Sequence, residues 1–433
     1  MPNVTKSYPE IRLNATDKGV PAASVATFLG DVRKHDWNLL REDIPLPVAV
    51  LKDSALHKNS AWMRSYLSLS GAHIAPHGKT TMAPELFDLQ IADGAWAITV
   101  STPHQIRVAR HFGHRRLFVA NQLMGRTAIE EVFRELDADP GFEIYCLADS
   151  LDYVAYLSGI AEGLRPSRRL NLLVEIGFEG GRTGCRSDTE ALSVAQYIHR
   201  SKHLALCGIE GFEGIIWAAS AEQRVSLVRT FLDRIVKVAE TCSIEKLFES
   251  EAIILSAGGS SFFDIVVGAF QRAQLSKPPF LLIRSGCYLT HDSFLYKRAF
   301  AQMTERSPAL VQELGGLEPA LEVWAYVQSR PEQRRAIATL GKRDISYDDL
   351  PVPLKWYRPT SSTLNPMPIS DNHKVVRLDD QHCYLDIPVD SPLRVGDMLA
   401  FGMSHPCLTF DKWRVLHRVD DDYSVIGSLR TYF

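Results

Sequence analysis

The chain has 433 residues, 45% of them hydrophobic and 23% charged, with a formal charge of −3. That length is too great for one compact core and suggests a large barrel of roughly 250 residues joined to a smaller domain. The slightly acidic balance excludes a broad nucleic-acid surface, because neutralising phosphates takes concentrated Lys and Arg.

The opening stretch MPNVTKSYPEIRLNATDKG lacks the apolar core of a signal peptide, and no later apolar run reaches membrane-spanning length. The expectation is a cytoplasmic protein without a membrane partner. Residues 1–45 show neither repeat nor motif and read as an N-terminal extension. PVAVLKD (47–53) reads as a strand, and segment 46–53 is assigned to the C-terminal β-domain as an added strand. Eight β-rich runs follow: HIAPHGK (73–79), WAITVST (96–102), RLFVANQ (116–122), EIYCLAD (143–149), LNLLVEI (170–176), LALCGIEGFEG (204–214), AIILSAGG (252–259) and FLLIRSG (280–286). Most are nearly continuous in apolar residues, as strands covered on both faces are, and amphipathic stretches such as AEQRVSLVRTFLDRIVKVAE lie between them. Eight strand–helix units predict a (β/α)8 TIM-type barrel over 54–300, with chemistry at the carboxyl ends of its strands. From 301 to 433 short alternating runs, among them EVWAYVQS, CYLDIPV, DMLAFGMSH, WRVLHRV and SVIGSLRTYF, predict a second, mainly β-barrel domain.

One residue at a strand end needs an explanation. Lys79 closes the first barrel run, and a lysine desolvated at a barrel mouth has a lowered pKa and becomes a nucleophile able to form a Schiff base. Pyridoxal 5'-phosphate would supply the aldehyde and would need a phosphate cradle. SAGGSSFF (256–263) offers one: Gly258 and Gly259 let the backbone approach closely, and Ser260 leads toward a helix start. The next loop, RSGCYLTHD (284–292), with Gly286 and Tyr288, would lie beside it, where the last two loops of such barrels share phosphate binding. His77, two residues before Lys79, is placed to order the lysine or the cofactor's phenolic oxygen. His104, His111 and His114 read as surface residues of a helix. Cys185 and Cys287 read as small half-buried thiols. The seven cysteines, odd in number and without CxxC spacing, fit a reduced protein better than a disulfide framework.

PHGKTTMAPELFDLQIADGA resembles the pyridoxal-phosphate lysine motif of the D-serine dehydratase and D-threonine aldolase family, which has the alanine-racemase-type fold, fold type III. The resemblance runs over residues 45–433 and includes VEIGFEGGRTG (174–184), the glycine turn, RSGCY (284–288), GKRDISYD (341–348) and VGDMLAFGMSHPCLTF (395–410). It implies Lys79 as the Schiff-base lysine, with Gly258, Gly259 and Ser260 at the phosphate, Arg182 and Thr183 near the cofactor, and His405 with Cys407 on zinc or another divalent metal. Residues two apart in an extended strand point to one side, so a His-x-Cys pair there presents imidazole and thiolate together. It further implies a head-to-tail homodimer. EIGFEGGRTG is about two residues longer than the family's usual acidic-x-Gly-x-x-Arg-x-Gly, and GMSHPC stands where the family more often has proline and asparagine.

The expected activity is therefore that of a dehydratase acting on a D-configured β-hydroxy amino acid such as D-serine, giving a 2-keto acid and ammonia. Two alternatives remain open: a metal-dependent D-threonine-type aldolase, and a non-catalytic pyridoxal-phosphate-binding protein, against which the second β-domain counts.

Overall fold

The computed structural model describes residues 8–22, 27–361 and 363–433. The chain divides into two units, one built from residues 64–79 and 90–286, the other from residues 1–63, 80–89 and 287–433. The short strand β1 (Val48–Lys52) belongs to the second.

The first unit holds eight strands, β2 (His73–Ile74), β3 (Ile98–Val100), β4 (Arg116–Val119), β5 (Glu143–Ala148), β6 (Leu170–Ile176), β7 (Leu204–Gly211), β8 (Ile253–Ala257) and β9 (Pro279–Ile283). They pair in parallel in the order β2-β9-β8-β7-β6-β5-β4-β3. β2 and β3 meet through a parallel bridge, His77 to Thr99, with Trp96 N donating to Ile74 O at 2.8 Å and Thr99 N to Pro76 O at 2.9 Å. The ring is thus closed, and each of the eight predicted runs contributes one strand to it. Inward residues Ala75, Ala97, Phe118, Leu147, Leu173, Ala205, Ile254 and Leu282 fill the interior, small side chains beside large ones. The helices follow from local signals. In Asp188–Arg200 the buried residues Ala191, Val194, Ala195 and Ile198 recur at three and four, one apolar stripe. Thr102, Ser150, Ser187 and Ser220 each cap a helix start by accepting a backbone N–H.

In the second unit β1 is central, antiparallel to β10 (Leu321–Glu332) and parallel to β17 (Val415–Val419). Beyond β10 the sheet continues through β16 (Met398–Gly402), β12 (Val352–Tyr357) and β13 (Met367–Pro368), and beyond β17 through β18 (Val425–Arg430). β11 (Arg335–Ala338), β14 (Lys374–Leu378) and β15 (Cys383–Asp386) extend it from β10. Part of the N-terminal extension is core: Leu13, Val32, Leu39, Leu40 and Ile44 pack with Val48, Val50, Trp324, Met398 and Val415.

Two sequence expectations change here. The C-terminal segment of the second unit starts at Cys287 and includes helices Leu295–Arg306 and Pro308–Leu314, where sequence suggested barrel to 300 and strands after it. The run 73–79 is strand only over its first two residues, because Pro76 has no N–H to give a ladder, and Gly78–Thr80 forms a 3-10 turn. Among the described residues, no helix is long and apolar enough to cross a membrane.

Candidate functional site

The carboxyl ends of the barrel strands gather one polar cluster. Lys79 sits in the 3-10 turn and is exposed, so the expected desolvation of its amine is not met. His77 is half-buried, and its Nδ1 is fully buried without a hydrogen-bond partner. Burial, with the cationic Lys79, Arg284 and Arg182 nearby, holds its pKa well below the usual histidine range, so the ring is neutral. Gly286 lies against it: an added Cβ would stand 2.5 Å from His77 Cβ and 2.8 Å from its backbone N and O, so a larger residue would force the turn apart.

Three acidic residues that were assigned no role from sequence line this end. Glu210 accepts from Arg284 Nη2 at 2.6 Å, both side chains buried; burial pushes the Glu210 carboxyl up and the guanidinium opposes that. Glu175 accepts from the Thr183 hydroxyl and from Gln122 Nε2, each at 2.7 Å. Glu213 accepts the amides of Gly258 and Gly259, each at 3.0 Å. Arg182 is exposed, its guanidinium 4.7 Å over the Phe212 ring. The longer loop that carries it is wrapped around Arg186, whose guanidinium donates to the Arg182, Thr183 and Gly184 carbonyls at 2.6–2.7 Å. Ser260 is half-buried. The available sequence signal was position: acidic residues at consecutive strand ends inside apolar runs.

A separate cluster belongs to the second unit. His405 and Cys407 are not in an extended strand: β16 ends at Gly402, His405 has φ +54°, and Pro406 starts a short helix, Cys407–Phe410. The pair meets nonetheless, because the left-handed residue and the helix start fold the segment back on itself. His405 Nδ1 bonds Asp348 Oδ2 at 2.9 Å, and the His405 amide donates to Asp292 Oδ2 at 3.0 Å. The Cys407 sulfur lies 3.5 Å from the Thr80 hydroxyl, which in turn lies 3.9 Å from the Cys287 sulfur. A hydrogen bond from Cys287, then the neighbouring His405, pulls the Cys407 thiol down, and the same contact with burial pushes Cys287 up. Its hydrogen bond to Cys407 raises His405 to about 9. Cys407 is thus the thiol made more acidic, and Cys287 the one made less so.

Asp348 holds the Nδ1 side of the His405 ring, so a metal that displaced the other ring proton would meet Nε2 together with the soft sulfur of Cys407, and the pair fits a zinc-like ion. Among the described residues, no three His, Cys, Asp or Glu side chains stand as a complete ligand set. Tyr288 is buried, as are Cys185, Cys287 and His114, which sequence had placed half-buried or at the surface. His104 and His111 are exposed.

Residues 320–419 match the family described as a putative serine dehydratase domain. No curated protein matches the chain by sequence. Among solved structures, a D-threonine aldolase from Filomicrobium marinum is similar at 20% identity and TM-score 0.74, covering 92% of this chain and 97% of its own. A cysteine-to-alanine variant of a D-threo-3-hydroxyaspartate dehydratase, in the metal-free form, follows at 17% and 0.68, covering 92% and 99%. An alanine racemase-like protein from Idiomarina loihiensis gives 17% and 0.66, covering 89% and 96%. The fold is the alanine-racemase-like one, a parallel eight-stranded barrel with a second β-domain, and these matches support the family resemblance read from the sequence.

Proposed function

With that fold and that β-domain match as premises, we propose that the protein is a pyridoxal-phosphate- and metal-dependent lyase that dehydrates a D-configured β-hydroxy amino acid such as D-serine. The observation that carries the reading is the pairing of His405 with Cys407 at the turn after β16, with His405 Nδ1 held by Asp348 at 2.9 Å. The barrel supports the cofactor: an orphaned, buried His77 Nδ1 and a glycine that no larger residue could replace flank the Lys79 turn.

When bound, pyridoxal phosphate supplies an aldehyde for amines and an electron sink for the α-carbon, and a divalent metal supplies Lewis acidity. Lys79 Nζ is assigned two tasks, holding the cofactor and taking the α-proton. The neutral His77 keeps a hydrogen-bonding nitrogen beside the lysine turn without adding charge. The Glu210–Arg284 pair fixes opposite charges in the barrel end and keeps their orientation constant. His405 and Cys407 would hold the metal, and Asp348 would keep the imidazole turned toward it. A homodimer in the cytoplasm remains the proposed setting.

An aldolase reading has its own support in the similarity to D-threonine aldolase. The dehydratase reading has the similarity to D-threo-3-hydroxyaspartate dehydratase, one of whose cysteine-to-alanine variants is described in a metal-free form, and Cys407 is the residue of this chain on which we rest it. Supplying D-serine and D-threonine to the purified protein tests this: ammonia and a keto acid are expected. Glycine and an aldehyde from D-threonine, with no ammonia, would promote the aldolase. Neither product from any β-hydroxy amino acid would leave a binding protein.

A further inference from the structure

The glycine turn after β8 has all four of its backbone polar groups engaged within the barrel unit. The amides of Gly258 and Gly259 go to the two carboxylate oxygens of Glu213, each at 3.0 Å. The two carbonyls accept the Ser285 hydroxyl, at 3.3 and 2.8 Å, and Gly258 O also accepts the Arg284 amide at 3.0 Å. Glu213 thus clamps the turn from the end of β7, and Ser285 and Arg284 clamp it from the end of β9, the two neighbours of β8 in the sheet.

The turn has little freedom to move away from this arrangement. Gly258 has φ +84°, and an added Cβ would lie 3.1 Å from Ile283; one on Gly259 would lie 2.9 Å from the Phe212 ring. Glu213 itself is completely buried. A backbone N–H is a single donor, so neither glycine amide retains a full hydrogen bond for a phosphate oxygen. The sequence expectation placed both glycines at the phosphate, yet here their amides hold the chain's own carboxyl group.

We propose that Glu213 is a positioning residue for the cofactor's phosphate. It locks the Gly258 and Gly259 peptide groups, and the phosphate is received by the groups that follow, beginning with the amide and hydroxyl of Ser260. This rests on the pyridoxal-phosphate reading of the same barrel end. A phosphate needs donors fixed in advance, since amides already oriented lose nothing on binding. The Glu213 side chain provides that fixing from inside, at the turn between β8 and the helix Phe263–Phe270.

The test is the ratio of pyridoxal to pyridoxal-phosphate dissociation constants, measured by absorbance titration of the full chain stripped of cofactor. That ratio isolates the phosphate's contribution, which a merely structural role would leave unchanged. Glu213→Gln keeps the size but opposes an amide donor with a second donor, so the ratio should fall on the order of tenfold, the effect of one charge-assisted hydrogen bond. Pyridoxal affinity should stay at the wild-type value. Ser260→Ala, a change at a half-buried side chain, should lower the same ratio by several-fold and serves if the Glu213 variant does not fold. An unchanged or higher ratio in the folded Glu213→Gln protein would overturn the proposal. So would an unchanged ratio in Ser260→Ala, or an equal weakening of both ligands. If the wild-type chain binds pyridoxal phosphate no better than pyridoxal, the cofactor reading itself fails, an outcome distinct from a variant that leaves an existing ratio untouched.

Discussion

The two polar clusters differ in how completely their groups are satisfied. At the barrel end the three carboxylates are each held by fixed partners: Glu210 by Arg284, Glu175 by Thr183 and Gln122, Glu213 by two amides. In the β-unit the donors are soft and share protons, with Cys407 drawing hydrogen bonds from Cys287, Thr80 and His405. A saturated cluster fixes geometry and resists change, as suits a site that orients a cofactor. A cluster whose central group is a thiol keeps a donor that a metal can take over from the hydrogen bonds around it. The difference separates cofactor retention from metal retention, and mutations can pull the two apart.

The largest expected effect is at Lys79. Lys79→Ala should abolish the borohydride-reducible chromophore and lower turnover by at least about 10³-fold, as losing both a covalent anchor and a base implies. Metal content measured by elemental analysis should not change. A chromophore that survives reduction studies in the variant would place the anchor on another lysine.

In the β-unit the reverse separation is expected. His405→Ala and Cys407→Ala should remove the metal and slow keto-acid formation by roughly 10²-fold or more, leaving the chromophore intact. Asp348→Asn gives a gentler version. It retains both donors but loosens the imidazole's orientation, and metal affinity in a chelator competition should weaken about 10- to 100-fold. Wild-type affinity in that variant would show that Asp348 does not orient His405.

The last effect is on stability alone and concerns Glu85 of the β-unit. Both oxygens of Glu85 are buried without a hydrogen-bond partner, and burial raises its pKa to about 7. Its folded pKa lies above the unfolded value near 4.5, so the fold favours the protonated form. That contribution is complete below the unfolded value and is lost as pH rises through about 7. Glu85→Gln should therefore stabilise the protein by up to about 3 kcal/mol at alkaline pH and by nothing near the unfolded pKa, read from denaturant unfolding at both pH values. An equal gain at both would mean that ionisation is not the cause.

Much of the architecture was legible in the chain because a strand covered on both faces must be apolar on both. LNLLVEI and AIILSAGG therefore announce themselves, and Ser or Thr before a helix announces the helix start. Lys79, His77 and the glycine turn could be singled out for the same reason, as polar or permissive residues at the ends of such runs. Local pattern does not specify which distant group a polar atom meets. Glu213 at the glycine amides and Cys287 at Cys407 join segments far apart in sequence, and the partners become visible only when neighbouring strands are in register. Backbone direction was equally hidden: His-x-Cys reads as two donors on one strand face, yet Pro406 and the left-handed His405 bring them together through a turn. The sequence by itself determined the elements, their order and the candidate lysine, through periodicity and burial. The tertiary structure alone decided which amides hold a carboxylate, which thiols meet and where the barrel closes, because these depend on pairwise distances that no local pattern encodes.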